Sequence, residues 1–265
     1  MELGLKGKVV LVTGASRGIG RAIALAFAGE GCRLALASRT PKVLAAASEE
    51  VEALGAEARH WATDVTDPAQ VELLVGNVCR VWGGIDVLVN NAGGGYRKGF
   101  EAVSDQAWEQ VVDLNLFSAV RLGRAVLPYM KERGGGQIIN IAALSGRVPR
   151  LGQIASNAAK AALINFTESL AAEVARHGIR VNAVCPAAIL TERWQERVAR
   201  YAEEHGLPFE RAMTEIAGNS IPLGRFGLPE EVASAVVFLA SERAGFITGV
   251  SVFVDGGMGR SISIP

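Results

Sequence analysis

The chain has 265 residues, with 27 Lys+Arg balanced by 27 Asp+Glu, 49% hydrophobic residues and three cysteines. That length can bury a full core, and zero net charge argues against disorder and against nucleic-acid binding through bulk charge. Three scattered cysteines, an N-terminus without an apolar run and no stretch near the roughly 20 apolar residues of a membrane helix exclude a disulfide scaffold and a bilayer span.

Apolar strand-like runs alternate with helical patterns along the whole chain. Val9 to Thr13 is a buried-strand run, and Gly18 to Glu30 carries apolar residues at helical spacing. A strand is expected over Arg33–Ser38, a helix over Pro41–Leu54 and a strand over Glu57–Ala62. Asp67–Trp82 reads as a helix with Asp67-Pro68 as cap and first turn. Strands over Ile85–Asn90 and Gln137–Ala142 flank one long helical stretch, Ser104–Arg133. A helix over Ala155–His177 precedes a strand over Arg180–Cys185, and a last helix, Pro229–Leu239, leads to the strand Ser251–Val254.

Seven strands joined through helices by short links predict an α/β fold, a doubly wound parallel sheet with helices on both faces. No linker divides the chain, so residues 1–265 are expected to form one dinucleotide-binding and catalytic domain, cytoplasmic and soluble. Only Thr191–Gly227 breaks the rhythm, as an insertion after the sixth strand. Trp194, Val198 and Tyr201 form one apolar helical stripe within it. Such an insertion, at the carboxyl end of a parallel strand, either covers a ligand crevice or packs only on itself.

The run Thr13-Gly-Ala-Ser-Arg-Gly-Ile-Gly20 follows the first strand and opens the first helix. There Gly14, Ser16, Gly18, Ile19 and Gly20 let the backbone approach a pyrophosphate, and the helix N-terminus supplies free N–H groups. An acidic residue ending the second strand would hold the ribose of NAD, but this chain has Ser38 and Arg39 there, with Arg17 in the glycine loop. Two guanidinium groups beside one ribose suit a 2′-phosphate, so NADP(H) is the expected cofactor.

The glycine loop, Asp64-Val65 after the third strand, Asn90-Asn-Ala-Gly93 after the fourth, Asn115, Pro186–Thr191 after the sixth and the final Asp255-Gly-Gly257 stand in order. Together they resemble the short-chain dehydrogenase/reductase family over the whole chain. The resemblance implies that Asp64 and Val65 contact the adenine and that Asn91, Ala92 and Gly93 line the middle of the cofactor. It implies that Pro186, Ile189 and Thr191 meet the nicotinamide end, and that the protein is a homotetramer or homodimer through its long central helices.

The same resemblance exposes a departure. The family's proton-transfer set is a Ser, a Tyr thirteen positions later and a Lys four beyond. Lys160 is present, but the Tyr position holds Ser156 and the Ser position holds Ala143. A serine hydroxyl is a far weaker acid than a phenol beside an ammonium, and alanine donates nothing to an oxyanion. Lys160, Asn115 and Ser156 are the remaining catalytic candidates, Lys160 doubling as a ligand of the nicotinamide ribose. No metal site is expected. Tyr129 and Tyr201 fall in a long helix and the insertion, so Tyr96, in the loop after the fourth strand, is the one candidate substitute phenol; Ser145 lies two residues beyond Ala143. A branch of the family, the 2,4-dienoyl-CoA reductases, likewise has Ser-x-x-x-Lys and reduces a conjugated C=C.

Two classes of function follow. One is an NADP(H)-dependent oxidoreductase with an atypical active site, reducing a conjugated C=C or carbonyl of a small or acyl-thioester substrate. The other is an NADP(H)-binding protein without redox turnover, or a non-redox lyase or isomerase in the same pocket. Arg97, Lys98, Arg147 and Arg150, in the two loops expected to flank the pocket, either form a solvated loop face, the commoner case, or favour an anionic substrate such as a carboxylate or an acyl-carrier phosphopantetheine.

Overall fold

A computed structural model describes residues 2–259. Its seven strands are β1 (Val9–Thr13), β2 (Arg33–Ser38), β3 (Ala58–Ala62), β4 (Val87–Asn90), β5 (Gly136–Ile141), β6 (Ile179–Pro186) and β7 (Ser251–Val254). They form one parallel sheet in the order β3-β2-β1-β4-β5-β6-β7. The chain builds outward from β1 to β3, then returns to place β4 against the other side of β1. The carboxyl ends of β1 and β4 therefore face a crevice where the winding reverses, the usual ligand position in such sheets.

Both faces of the central strands are covered, which explains their unbroken apolar sequence rather than an alternating one. On one face Val10, Val12, Leu34 and Leu36 pack with α1 (Gly18–Gly29), α2 (Pro41–Ala53) and the late helix over Pro229–Ala240. On the other face Leu11, Leu88 and Ile138 meet α3 (Pro68–Trp82) and the helix over Ser118–Glu132. Asp67 caps α3 as expected, its carboxylate accepting from the N–H groups of Ala69 and Gln70.

The expected single helix over Ser104–Arg133 is interrupted. It consists of α4 (Asp105–Val112), a π-helical turn over Asp113–Phe117 and α5 (Ser118–Glu132). The side chain of Asn115, within the wide turn, donates to the carbonyl of Val111 at 2.9 Å. A wide turn inserts a residue without breaking the helical face, so apolar spacing alone does not reveal it. α6 (Ile154–Val174) then packs along β6, with Leu163 beside Ala183 and Cys185 and Val174 beside Ile179 and Val181, and ends in a short 3₁₀ turn over 175–177.

The insertion folds into α7 (Glu192–His205) and α8 (Phe209–Ser220), after which α9 (Pro229–Ala240) restores the α/β alternation. Val198, Ala202, Ala212, Ala217 and Phe226 form a small core of their own, with Trp194 and Tyr201 packed against it. The stripe expected from the sequence thus packs internally while Trp194 also borders the crevice. Among the described residues, no helix is long and apolar enough to cross a membrane, and no group of His, Cys, Asp or Glu could hold a metal ion.

Candidate active site

At the carboxyl end of the sheet lies one cavity of about 630 Å³. The β1–α1 loop forms one end with Gly14, Ser16, Arg17, Gly18, Ile19 and Gly20. Gly14 and Gly18 have φ of +63° and +54°, which glycine adopts without strain. Gly20 has another constraint: a Cβ there would collide with the Gly14 carbonyl and the Asn91 side-chain amide. The loop is locked from behind. Asn91 donates its side-chain N–H to the carbonyls of Thr13 and Gly14 at 2.9 and 3.1 Å. Thr13 Oγ1 accepts from the backbone N–H groups of Asn91 and Ala92.

Ser38, Arg39, Thr63 and Val65 wall the next part of the cavity. The hydroxyl of Ser38 is buried without a hydrogen-bond partner, a polar atom facing a site that lacks its complement. Asp64 is not brought to the cavity with its neighbours. One of its carboxylate oxygens is engaged locally, Oδ1 accepting from the Thr66 backbone N–H at 3.0 Å and the Thr66 hydroxyl at 2.7 Å.

Asn91, Ala92, Gly93, Pro186, Ile189 and Thr191 line the middle. Beyond them are Ala143, Ser145, Ser156 and Lys160. Lys160 donates to the Ile141 carbonyl at 2.8 Å, and burial brings its ammonium down from 10.5 to about 8. Close by, burial holds the Cys185 thiol up at about 11, so it is protonated at neutral pH. Ser156 is 4% exposed. Its hydroxyl oxygen accepts from the Tyr96 backbone N–H at 2.8 Å, tying the loop after β4 to α6.

Asn115 does not line the cavity. It stands behind it, 2% exposed, with Oδ1 accepting from the Gly94 N–H at 3.1 Å. A Cβ on Gly93 would meet Asn115 Oδ1 at 3.0 Å and Lys160 Nζ at 3.3 Å, so both groups border the space that this glycine leaves open.

Tyr96 is not positioned as a substitute phenol. Its ring packs against the separate apolar cluster of Val111, Ala155 and Ala159, and it is not part of the cavity wall. Loop position alone says nothing of which way a ring turns. The basic groups also redistribute. Arg150 lines the cavity, whereas Arg147 lies over the Phe253 ring and Lys98 over Tyr96. In their place α7 supplies Arg193 and Arg197, whose positions in the insertion carry no motif that marks them as pocket residues.

Comparison with known proteins agrees with this architecture. A family described as enoyl-(acyl carrier protein) reductase matches residues 14–259. The 3-oxoacyl-(acyl-carrier-protein) reductase FabG of Vibrio cholerae is 39% identical over 262 residues, 97% of this chain and 99% of that protein. Galactitol 2-dehydrogenase of Agrobacterium fabrum is 37% identical over 254 residues, 96% of this chain and 98% of that protein. The crystal structure of L-sorbose reductase from Gluconobacter frateurii, complexed with NADPH and L-sorbose, superposes with a TM-score of 0.96 at 38% identity, covering 99% of this chain and all of that one. The chain belongs to the short-chain dehydrogenase/reductase family, and these relatives are named as oxidoreductases.

Proposed function

We propose that the protein is an NADP(H)-dependent oxidoreductase of this family, acting on a small molecule with an atypical proton source. The observation that carries the reading is the continuous cavity, which joins the glycine loop and Arg17, Ser38 and Arg39 at one end to Lys160 and Ser156 at the other. The residues fit the cofactor: glycines open the phosphate cradle, and the unpartnered Ser38 hydroxyl and two arginines suit a 2′-phosphate. Gly14, Ser16, Arg17, Gly18, Ile19 and Gly20 would hold the phosphates, Val65 the adenine, and Asn91 to Gly93 the middle. Pro186, Ile189 and Thr191 would border the nicotinamide. When bound, the cofactor supplies hydride.

The chain's own task is then to place the acceptor and supply a proton. Ala143 and Ser156 stand where most family members carry Ser and Tyr, so no phenol sits over the reacting atoms. Lys160, with its ammonium at about 8, is the strongest acid left on that wall and titrates near the range a general acid needs. Ser156 has its oxygen engaged by Tyr96 and its hydroxyl hydrogen free to point into the cavity. Asn115 acts as a positioning residue, fixing the Gly94 N–H and the wide turn. Reduction of a conjugated C=C asks less of the missing phenol than carbonyl reduction, and is the preferred reaction. Assembly as a homotetramer or homodimer is part of the same proposal, with half-exposed Phe117 between α4 and α5 available to a second copy.

The second reading, a cofactor-holding protein without turnover, is favoured by one observation. No tyrosine lines the cavity, and Ser156 already serves a structural tether. Stopped-flow fluorescence of NADPH separates the two, using a ketone panel and a panel of enones and enoyl thioesters. Substrate-dependent oxidation with conjugated alkenes supports the oxidoreductase. Tight NADPH binding without oxidation on either panel supports the second reading.

A further inference from the structure

Four guanidinium groups converge where the insertion meets the loops after β4 and β5. Arg97 comes from the first loop and Arg150 from the segment leading into α6, while Arg193 and Arg197 stand on the first turns of α7. Trp194 is the platform for two of them. The guanidinium carbons of Arg150 and Arg197 lie 5.8 and 5.0 Å from its ring centroid, and Phe226 packs edge-on against it at 5.2 Å. Such contacts fix a planar cation without neutralising it.

Nothing else among the described residues neutralises these groups. Arg121 and Arg225 form ion pairs with Asp113 and Glu231, but Arg97, Arg150, Arg193 and Arg197 form none. Burial, and then the charge of Arg97, lower the pKa of Arg150. Burial and the charges of Arg97, Arg193, Arg150 and Arg200 do the same to Arg197. Two carboxylates, Glu192 and Glu196, line the same cavity, yet neither forms an ion pair, and Glu192 faces Gly18 in the glycine loop. Partly buried, mutually repelling cations are costly unless something anionic joins them.

A second cavity of about 320 Å³ adjoins the first and shares Arg150, Gln153 and Trp194 with it. Leu151, Ile216, Ile221 and Phe226 give it apolar walls, and Arg97 and Arg150 also line it. Apolar lining with two cations, one of them held on Trp194, suits one kind of occupant, a molecule with an apolar body and an anionic group.

We infer that the arginines around Trp194 form an anion-recognition subsite, and that the substrate is a small apolar compound bearing a carboxylate or phosphate. This rests on the proposed oxidoreductase for the word substrate, but the subsite itself is a property of the loops and α7. An arginine accepts either anion in the same bidentate manner.

Calorimetric titration tests it, on the protein alone and after loading with NADP⁺. The probes are 3-benzoylpropionate against its methyl ester, and phenacyl phosphate against phenacyl alcohol. At least one anion binds about tenfold or more tightly than its neutral partner, as expected of a charge-assisted pair. Arg150→Gln with Arg197→Gln removes that preference while leaving the affinity of the neutral compounds unchanged. The favoured pair distinguishes carboxylate from phosphate. No preference for either anion, no binding of either, or a preference that survives the double replacement overturns the inference. A protein that prefers the anion but fails to bind NADPH would instead overturn the proposed function and leave the subsite standing.

Discussion

The two ends of the cavity are built on different principles. At the β1–α1 end, recognition is made of backbone: glycines without side chains, a helix N-terminus and amide cross-ties from Asn91 and Thr13. At the β5–α6 end it is made of side chains standing on a regular helix, where one substitution changes the chemistry and leaves the fold untouched. Ala143 and Ser156 fit there without disturbing β5, α6 or the Lys160 bond to Ile141. The first end tolerates little change at Gly14 and Gly20, where an added carbon meets main chain and the Asn91 amide. The second can lose its usual acid and retain its shape.

The sharpest way to break that contrast is Gly20→Ala. The added carbon meets the Gly14 carbonyl and Asn91 amide, both held in place by other bonds. Overpacking of that kind costs about 3 kcal/mol or more, so NADPH affinity should fall by about 100-fold or more. Fluorescence titration and thermal melting measure both. An unchanged affinity would mean that the loop is far softer than its bonding suggests.

At the other end, Lys160 carries a burial penalty of its own. Its pKa is about 8 in the folded chain against 10.5 for an ordinary lysine. The folded state therefore disfavours the ammonium: the penalty is complete below pH 8 and lifts as pH rises from about 8 to 10.5. Denaturant unfolding of the cofactor-free protein and of Lys160→Met should differ most in favour of the variant at pH 7. That advantage should shrink by pH 10. A difference independent of pH would contradict the burial of this group.

Arg39→Glu comes next. Removing a charge-assisted contact and adding a like charge to the 2′-phosphate should weaken NADPH by about 10- to 100-fold and leave NADH affinity equal or improved, as read by competitive titration. The smallest effect is Ser156→Ala. Loss of the acceptor for the Tyr96 N–H should cost about 1 kcal/mol, loosening the 93–96 loop in amide exchange while NADPH affinity stays within about twofold.

The same division separates what the amino-acid sequence alone displays from what only the fold displays. The sheet, its helices and the glycine loop were legible because buried strands, caps and glycines are local signals; β1, β2 and β7 begin and end where the apolar runs do. The turn at Asn115 was not, since an inserted residue leaves apolar spacing almost intact. Nor were Arg193 and Arg197, which lie over forty positions from Arg150 and meet it only because α7 folds back across the crevice. Asp64 and Tyr96 mark the converse limit. Their neighbours reach a ligand crevice, but the carboxylate turns to Thr66 and the ring to the cluster of Val111 and Ala155. Chain position predicts the loop, and side-chain packing decides the direction.

The central proposal is that the β5–α6 end kept its shape and lost only its oxyanion donor and its acid. The most direct measurement is ketone-dependent NADPH oxidation by the double variant Ala143→Ser with Ser156→Tyr. Restoring an oxyanion donor and a general acid should raise the rate by about 10²–10⁴-fold, with NADPH affinity within about twofold of the parent. A folded variant that binds NADPH and reduces no ketone faster than the parent would contradict it.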